Sequence, residues 1–418
     1  MNILFIHRNF PGQFAHLAPA LAARPGCRVM AIGEGGVADP ARRPPGVPLV
    51  LYRPSRPASG GHRFLRGTDL AVRRGEAVAR VAETIRRDFK PDVVVAHIGW
   101  GEGLYLRDVF PDARIVAYCE FFYHAEGLDV GFDPEFPPAR DAALHLRTRN
   151  AAQLLSLDAA HRGLSPTAWQ RGVFPASQRD KIAVIHDGID VARVAPDRDA
   201  RFLLSDGRAL AAGDPVVTYV ARNLEPYRGF HVFMRALPQI LARHRRAQVV
   251  IAGGEEVSYG RPPAEGGSWR TRLLAELGDQ LDLSRVHFVG KLPYERYVSL
   301  LQVSAAHAYL TYPFVLSWSM LEAMAAGCLM VGSATGPVEE VLSHRQNGLL
   351  VDFFARDQIA DAVGWALDNP EAAQELRAAA RRTAVERFAL ERCLTAQEAF
   401  LDGLARTRPA APRLRSIA

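Results

Sequence analysis

Short apolar runs alternate with amphipathic stretches along the whole chain. An apolar run at residues 2–6 is followed by a polar loop at residues 7–13 and by helical spacing over residues 14–23. The same alternation predicts a helix at 69–89 and further strands at 28–32, 93–97 and 114–118. Short buried strands that alternate with helices are typical of a parallel, doubly wound α/β sheet.

The pattern restarts in the second half and predicts a second sheet. Its strands are expected at residues 216–221, 248–252, 286–289, 306–310, 329–332 and 348–351. Residues 193–213 are polar and weakly patterned, which indicates a linker. We therefore predict two Rossmann-like domains that face each other across a cleft, at residues 1–200 and 201–385. A C-terminal helix at 386–405 is expected to cross back to the first domain, and a tail at 406–418 is expected to fray.

Composition narrows the class of protein. The 418 residues are 48% hydrophobic and 23% charged, which is ordinary for a globular protein. The net charge of +6 is too diffuse to predict nucleic-acid binding. Four scattered cysteines lack paired spacing, so we expect buried thiols and no metal site. Lysine occurs only at Lys90, Lys181 and Lys291, and this bias towards arginine predicts a GC-rich, bacterial genome.

The sequence predicts a cytoplasmic protein. Residues 1–6 show no basic region or cleavage site of a signal peptide. The apolar stretch at residues 303–332 is interrupted by Pro313, Glu322 and Gly327, so it is interpreted as buried sheet and helix. Five arginines in the helix at 69–89 leave open a peripheral contact with the inner face of the membrane, although a solvated helix surface is the simpler interpretation.

The sharpest motif lies at residues 312–327, where a strand ends and an apolar helix begins. Ser317 and Ser319 are good helix N-caps, and a helix N-terminus presents unpaired N–H groups to an anion. Glu322 lies about one turn inside this helix. A carboxylate among Leu, Ala and Met needs a partner, and ribose hydroxyls, solvent or an arginine would each serve.

Several segments, taken in order, resemble those of family 4 glycosyltransferases of the bacterial group 1 type, which have the GT-B fold. The resemblance rests on the segments HRNFPGQF, VIHDGID, ARNLEPYRG, VHFVG, LEAMAAG and TGPVEEV followed by NGLLV. The matches in the second half are specific, and those in the first half are generic.

The resemblance implies a site for a nucleoside-diphosphate sugar in the second domain. Arg222 and Arg228 would hold the diphosphate, although their spacing is one residue longer than is usual in the family. Glu322 would bind the donor ribose, and Ser317, Trp318, Ser319 and Gly290 would complete the donor site. The family's other motif glutamate, which contacts the transferred sugar, is replaced here by Phe314.

The acceptor side is expected in the first domain. Gly12 and Gln13 lie in its first loop, where glycine permits close approach of the backbone. The resemblance places a histidine near residue 120, where this chain has Glu120. Glu120, His124 and His97 are therefore alternative candidates for a residue that assists the reaction.

The predicted function is a retaining, metal-independent glycosyltransferase with no cofactor. It would move a hexose from a nucleoside-diphosphate sugar, with UDP or GDP, to a hydroxyl of a glycan, lipid-linked or protein acceptor. Two alternatives stay open, namely a nucleotide-sugar epimerase of the same fold and a degenerate, non-catalytic subunit that binds sugar nucleotides. A degenerate subunit would tolerate the loss of the glutamate at position 314, but Arg222, Arg228 and Glu322 all remain, which favours an active enzyme with an altered sugar pocket.

Overall fold

The chain folds into two α/β units. The computed structural model describes residues 1–57 and 60–407. The first unit comprises Met1–Ala125, Pro137–Gly188 and the chain from Glu391 onward, and the second comprises Glu126–Phe136 and Ile189–Leu390. The chain therefore enters the second unit twice.

The first unit is built on a seven-stranded parallel sheet in the order β3-β2-β1-β4-β5-β6-β7. Its strands are mostly continuous apolar runs, because helices cover both faces of a parallel sheet. The strands are β1 (Asn2–Ile6), β2 (Arg28–Glu34), β3 (Leu49–Tyr52), β4 (Val93–His97), β5 (Arg114–Tyr118), β6 (Arg162–Ser165) and β7 (Ile182–Val184).

Eight helices belong to the described part of this unit. They are α1 (Leu17–Ala23), α2 (Arg66–Ile85), α3 (Leu106–Val109), α4 (Ala142–Arg149), α5 (Ala151–Ala159), α6 (Ala168–Gly172), α7 (Ala176–Arg179) and the C-terminal α15 (Leu390–Arg406). Leu401 of α15 is buried in the core of the first unit, and Arg24 forms two hydrogen bonds to Asp402, at 3.0 and 2.9 Å. The last helix thus packs within the first unit.

The second unit contains a six-stranded parallel sheet in the order β12-β11-β10-β13-β14-β15 and an antiparallel β8–β9 pair. Its strands are β8 (Arg201–Leu203), β9 (Ala209–Ala211), β10 (Val216–Asn223), β11 (Gln248–Gly254), β12 (Val286–Gly290), β13 (Ala306–Tyr309), β14 (Met330–Ser333) and β15 (Leu349–Val351). Its helices are α8 (Phe230–Arg243), α9 (Trp269–Leu277), α10 (Tyr294–Gln302), α11 (Trp318–Ala325), α12 (Gly336–Glu339), α13 (Arg356–Asp368) and α14 (Pro370–Phe388).

The doubly wound fold and the ten strands expected from the sequence are confirmed within one or two residues at most ends. The division between the units falls at Gly188 and Ile189, twelve residues before the predicted boundary. The predicted linker at 193–213 is wrong, because it carries β8 and β9 and lies wholly in the second unit. Cys27 is only half-buried, unlike the other three cysteines. Of the tail predicted to fray, residues 408–418 lie outside the described residues.

The arginines of α2 give little support to a membrane-binding surface. Arg73 and Arg80 pair with acids one turn earlier on the helix, at 2.8 and 2.5 Å. Arg74 is buried against Glu34, and Arg86 donates to the carbonyl of Val109. Four of the five arginines therefore have intramolecular partners. No helix in the described part of the chain is long and apolar enough to cross a membrane.

Candidate functional site

A small cavity of ≈ 70 Å³ opens in the second unit near the carboxyl ends of β10 and β13. This is the edge of an open parallel sheet where ligands usually bind. We call it the Arg228 cavity. Its lining includes Arg222, Asn223, Glu225, Arg228, Tyr259, Tyr309, Ser317 and Ser319. Arg222, Arg228 and the two serines are thus brought together as predicted.

The buried guanidinium of Arg228 is held at fixed points. Arg228 is the last residue of a short 3-10 turn, Pro226–Arg228, and precedes Gly229, whose φ of +68° favours glycine. A Cβ on Gly229 would lie 2.3 Å from Cβ of Leu310. The guanidinium Nη1 donates to Thr311 Oγ1 at 2.8 Å and to the carbonyl of Val315 at 3.0 Å.

Arg228 has no carboxylate partner within 4 Å among the described residues. Its third acceptor is the hydroxyl of Tyr309 at 3.4 Å, and burial raises the pKa of Tyr309, so this group is neutral. Arginine stays protonated in proteins. A buried cation without a counter-ion is costly, and an anionic ligand would remove that cost.

Arg222 supplies a second positive charge at the rim of the cavity. It is exposed near the end of β10, and its guanidinium forms no ion pair with any described carboxylate. Ser317 caps α11 by accepting a hydrogen bond from the N–H of Ser319 at 3.3 Å. The positive end of the helix dipole at this helix start adds to the attraction for an anion.

The other predicted donor residues lie outside the lining of the Arg228 cavity. Trp318 packs against the core of the second unit, and Gly290 ends the edge strand β12. Phe314 is buried, with its ring 5.6 Å from that of Tyr227 and 4.9 Å from that of Tyr259. The position of the family glutamate is therefore filled by an aromatic cluster.

Glu322 has partners that the sequence analysis did not consider. Its carboxylate accepts hydrogen bonds from the hydroxyls of Tyr294 at 2.9 Å and Tyr297 at 2.8 Å. Burial raises the pKa of Glu322, although these hydroxyls act to lower it. Glu322 lies three residues after Ser319, on the same face of α11. Glu322, predicted to bind the donor ribose, does not line the cavity that contains Arg222 and Arg228.

Glu225 is a site residue that the sequence analysis missed. Its buried carboxylate accepts three backbone N–H groups, from Ser258 at 3.0 Å, Tyr259 at 3.1 Å and Gly260 at 2.8 Å. These bonds hold the ring of Tyr259 5.4 Å from the guanidinium carbon of Arg228. The sequence analysis used the segment ARNLEPYRG for its two arginines, and nothing in the sequence shows which loop Glu225 would bind.

A segment from the first half of the sequence, Glu126–Phe136, also shapes this region. Its Asp133 is buried, 2.9 Å from His231 Nε2, and accepts a hydrogen bond from Tyr312 at 2.7 Å. Burial opposes ionisation of Asp133, but these two partners lower its pKa on balance. The loop that carries Tyr312 and Phe314 is thus held from a distant part of the chain.

In the first unit, four polar side chains meet at the carboxyl ends of β1, β4 and β5. His7 Nε2 lies 2.6 Å from Gln13 Oε1, and Gln13 Nε2 donates to Glu120 Oε1 at 2.6 Å. His97 Nε2 lies 3.2 Å from Glu120 Oε2. The structure therefore brings together three predicted acceptor-side residues and adds His7, which the sequence analysis missed.

The four side chains of this cluster differ in their hydrogen bonds, burial and ionisation. Nδ1 of His97 accepts the N–H of Gly99 at 3.1 Å, so we assign its proton to Nε2, which donates to Glu120. Burial and the nearby His97 lower the pKa of His7, which keeps that ring neutral. Both histidines are buried, whereas the side chain of Glu120 is 30% exposed. Glu120 is thus the ionisable group of the cluster that reaches solvent.

Gly12 and His124 differ from their predicted roles. A Cβ on Gly12, whose φ is +47°, would lie 2.3 Å from the ring of His7, so the close approach that glycine permits here is to a side chain. His124 lies outside the cluster, because its Nε2 is 2.6 Å from the carbonyl of Val173. The structure favours Glu120 over His124.

Two Rossmann-like sheets with polar sites at their strand ends define the GT-B class of folds. Residues 26–194 match the family model described as "Glycosyl transferase family 4 group". Residues 204–383 match the model described as "Glycosyl transferases group 1". Residues 26–194 therefore belong to the family 4 group, and residues 204–383 belong to the group 1 glycosyl transferases.

Solved structures share the fold at low sequence identity. Anabaena HepE in complex with UDP-glucose has a TM-score of 0.68 and 17% identity, covering 96% of this chain and all of that one. Sucrose-phosphate synthase from Thermosynechococcus elongatus has a TM-score of 0.74 and 17% identity, covering 97% of this chain and 99% of that one.

Curated relatives match over part of their length. D-inositol 3-phosphate glycosyltransferase of Corynebacterium urealyticum is 28% identical over 47% of this chain and 45% of its own length. Glycogen synthase of Mycobacterium tuberculosis is 29% identical over 56% of this chain and 51% of its own length. The chain thus spans about half the length of the curated relatives it matches.

The Glu225→Gln substitution tests the loop anchor. An amide cannot accept all three N–H groups and places its own NH₂ against one of them, so the unfolding free energy should fall by about 2 kcal/mol. Amide hydrogen exchange of residues 258–260 should also become faster. Glu256→Gln is the matched control, because Glu256 is exposed and its ion pair with Lys291 lies at the surface. Equal effects of the two substitutions would contradict the anchor.

Proposed function

We propose that this protein is a retaining glycosyltransferase that moves a hexose from a nucleoside-diphosphate sugar to an acceptor hydroxyl. The observation that carries the proposal is the guanidinium of Arg228, which is buried in a cavity with Arg222 and has no carboxylate partner among the described residues. A diphosphate is the part of such a donor that would supply the missing negative charge.

The proposed reaction is a substitution at the anomeric carbon of the hexose, in which the acceptor oxygen replaces the diphosphate oxygen. The bond from this carbon to the diphosphate oxygen breaks, a bond to the acceptor oxygen forms on the same face, and the acceptor proton passes to the departing diphosphate. Negative charge grows on the diphosphate as it leaves. Two arginines beside it would stabilise that charge, which is the task that a metal ion performs in other enzymes, so we propose a metal-independent reaction without a cofactor.

The cavity fits the phosphate end of the donor. Its ≈ 70 Å³ is far smaller than a typical cavity for a whole ligand, so the nucleoside and hexose would extend beyond it. The start of α11 would receive a phosphate oxygen, and Glu322, one turn further, would exchange a tyrosine hydroxyl for a ribose hydroxyl. HepE holds UDP-glucose, and we extend the uridine nucleotide to this chain with GDP as the alternative.

The hexose subsite would differ from that of other family members. Phe314 fills the position where the family has a carboxylate, and the exposed ring of Tyr259, 4.9 Å from that of Phe314, offers an aromatic surface beside it. Aromatic rings bind the apolar face of a sugar and cannot accept a hydrogen bond as a carboxylate does. We therefore propose that the transferred hexose is recognised through its ring face rather than through paired hydroxyls.

Glu120 would act on the acceptor side. Its carboxylate is fixed by Gln13 and His97 and still reaches solvent, so it can accept a hydrogen bond from an acceptor hydroxyl. The acceptor would be a glycan, a lipid-linked sugar or a protein.

A second candidate function follows from Phe314. The loss of the sugar-binding glutamate, together with the closed aromatic cluster around it, is what a non-catalytic subunit that binds nucleotide sugars would tolerate. Such a protein would keep Arg222 and Arg228 as anion ligands without transferring the sugar.

The Arg222→Ala substitution tests the proposed function. Loss of one charge beside the departing diphosphate should lower turnover by on the order of 10²-fold, similar to the loss of one oxyanion donor. The measurement is nucleotide release from UDP- and GDP-hexoses with a panel of acceptors, and NMR of the product establishes its anomeric configuration. Arg245→Ala is the matched control, because Arg245 is exposed and does not line the Arg228 cavity.

Near-normal turnover in Arg222→Ala would reject the role of this residue. Binding of nucleotide sugar without turnover in the wild type would favour the non-catalytic subunit. Conversion of the donor in the absence of any acceptor would instead identify an epimerase.

The Glu120→Gln substitution tests the acceptor side. We expect kcat to fall by on the order of 10²-fold while KM for the donor stays near its wild-type value, because the amide keeps the shape but loses the charge. His124→Gln is the companion variant and should retain near-normal kcat. A larger loss in His124→Gln than in Glu120→Gln would contradict this assignment.

A further inference from the structure

A second and larger cavity, of ≈ 830 Å³, lies in the second unit near the amino ends of the strands β10 and β13. Its wall includes Pro215 and Ala305, which directly precede β10 and β13. Arg222 and Leu310 of the Arg228 cavity lie instead at the carboxyl ends of the same strands. We call this larger space the amino-edge cavity, and it shares no lining residue with the Arg228 cavity.

The lining of the amino-edge cavity carries more positive than negative charge. Two aspartates contribute to it, and each already accepts a backbone N–H, Asp197 from Asp199 at 2.9 Å and Asp214 from Ala211 at 2.8 Å. Four arginines outnumber them, and none pairs with a carboxylate in the described part of the chain. These are Arg198, Arg246, Arg377 and Arg381.

Two of these arginines lie side by side on α14. Arg377 and Arg381 are four residues apart, so they occupy the same helix face, where two like charges destabilise each other. Their guanidinium groups donate to the carbonyls of Ala305 and Ala325, respectively. Carbonyl oxygens satisfy some N–H groups but bring no formal negative charge to the pair.

Arg377 has a further N–H to satisfy. Its Nε is buried and has no hydrogen-bond partner among the described residues. Burial lowers the pKa of Arg377 and that of Arg381, which reflects the cost of holding both charges away from water. An anion in the cavity would relieve that cost for both residues at once.

We propose that the amino-edge cavity binds a small phosphate monoester, at a site separate from the Arg228 cavity. Guanidinium groups bind phosphate oxygens through paired hydrogen bonds, and several arginines around one space suit its two negative charges. The volume lies in the range of ligand cavities and accommodates a body the size of a sugar in addition to the phosphate.

The test uses the full chain and isothermal titration calorimetry at fixed ionic strength. The probes are glucose 6-phosphate, inorganic phosphate and glucose. Arg198→Gln/Arg246→Gln is the diagnostic variant, because both side chains are exposed and make no hydrogen bond in the described part of the chain, so the fold should survive the change. Arg245→Gln is the matched control, since Arg245 is exposed, adjacent in sequence and outside the lining.

We expect glucose 6-phosphate to bind the wild type with a 1:1 stoichiometry, more tightly than inorganic phosphate, and glucose not to bind. The double variant should weaken glucose 6-phosphate binding by about tenfold or more, since each lost contact is a hydrogen bond to a charged group. Arg245→Gln and Arg222→Gln should bind it like the wild type. Because Arg222 belongs to the other cavity, this result would stand even if the proposed transferase activity were not observed.

Several results would overturn the proposal. The first is no binding of glucose 6-phosphate to the wild type up to about 10 mM. The second is an equal loss in Arg245→Gln, which would indicate a non-specific charge effect. A loss confined to Arg222→Gln would place the ligand in the Arg228 cavity, and equal affinity for inorganic phosphate would exclude a site built for a monoester.

Discussion

The guanidinium of Arg228, buried without a carboxylate partner, is the interaction on which the second unit's site depends. Hydrogen bonds to a hydroxyl and a carbonyl fix its position but do not neutralise it. Such an arrangement stabilises the fold poorly, because no opposite charge offsets the free-energy cost of removing the guanidinium from water. It is instead well suited to a ligand that arrives with its own negative charge.

The surrounding residues maintain this arrangement. Gly229 lets the chain turn beside Leu310. The carboxylate of Glu225 accepts hydrogen bonds from three backbone N–H groups and forms no ion pair with Arg228. The tyrosines near Arg228 contribute polar surface without charge. In the first unit, Gln13 and His97 hold Glu120, and the carboxylate of Glu120 reaches solvent.

The sequence alone predicts the two sheets well because parallel strands are buried on both faces and appear as continuous apolar runs. The strand β6, Arg162–Ser165, and the β8–β9 pair were missed because they are only three or four residues long. Family resemblance selected Arg222, Arg228 and Ser317, which line one cavity in the structure. It could not place Glu322, whose tyrosine partners come from α10, because such contacts depend on how helices pack. His7, Glu225 and the segment Glu126–Phe136 were missed for the same reason, since their partners lie far away in the sequence.

The most direct measurement compares the wild type with Arg228→Met, which keeps the length of the side chain but removes its charge. Calorimetric titration with inorganic pyrophosphate should show binding to the wild type and a loss of at least tenfold in affinity in the variant. Chemical denaturation should show an unfolding free energy that is roughly unchanged, because the lost hydrogen bonds are offset by relief from burying an unpaired charge. Unchanged pyrophosphate affinity accompanied by a large loss of stability would show that Arg228 serves the fold rather than a ligand, and would contradict the account.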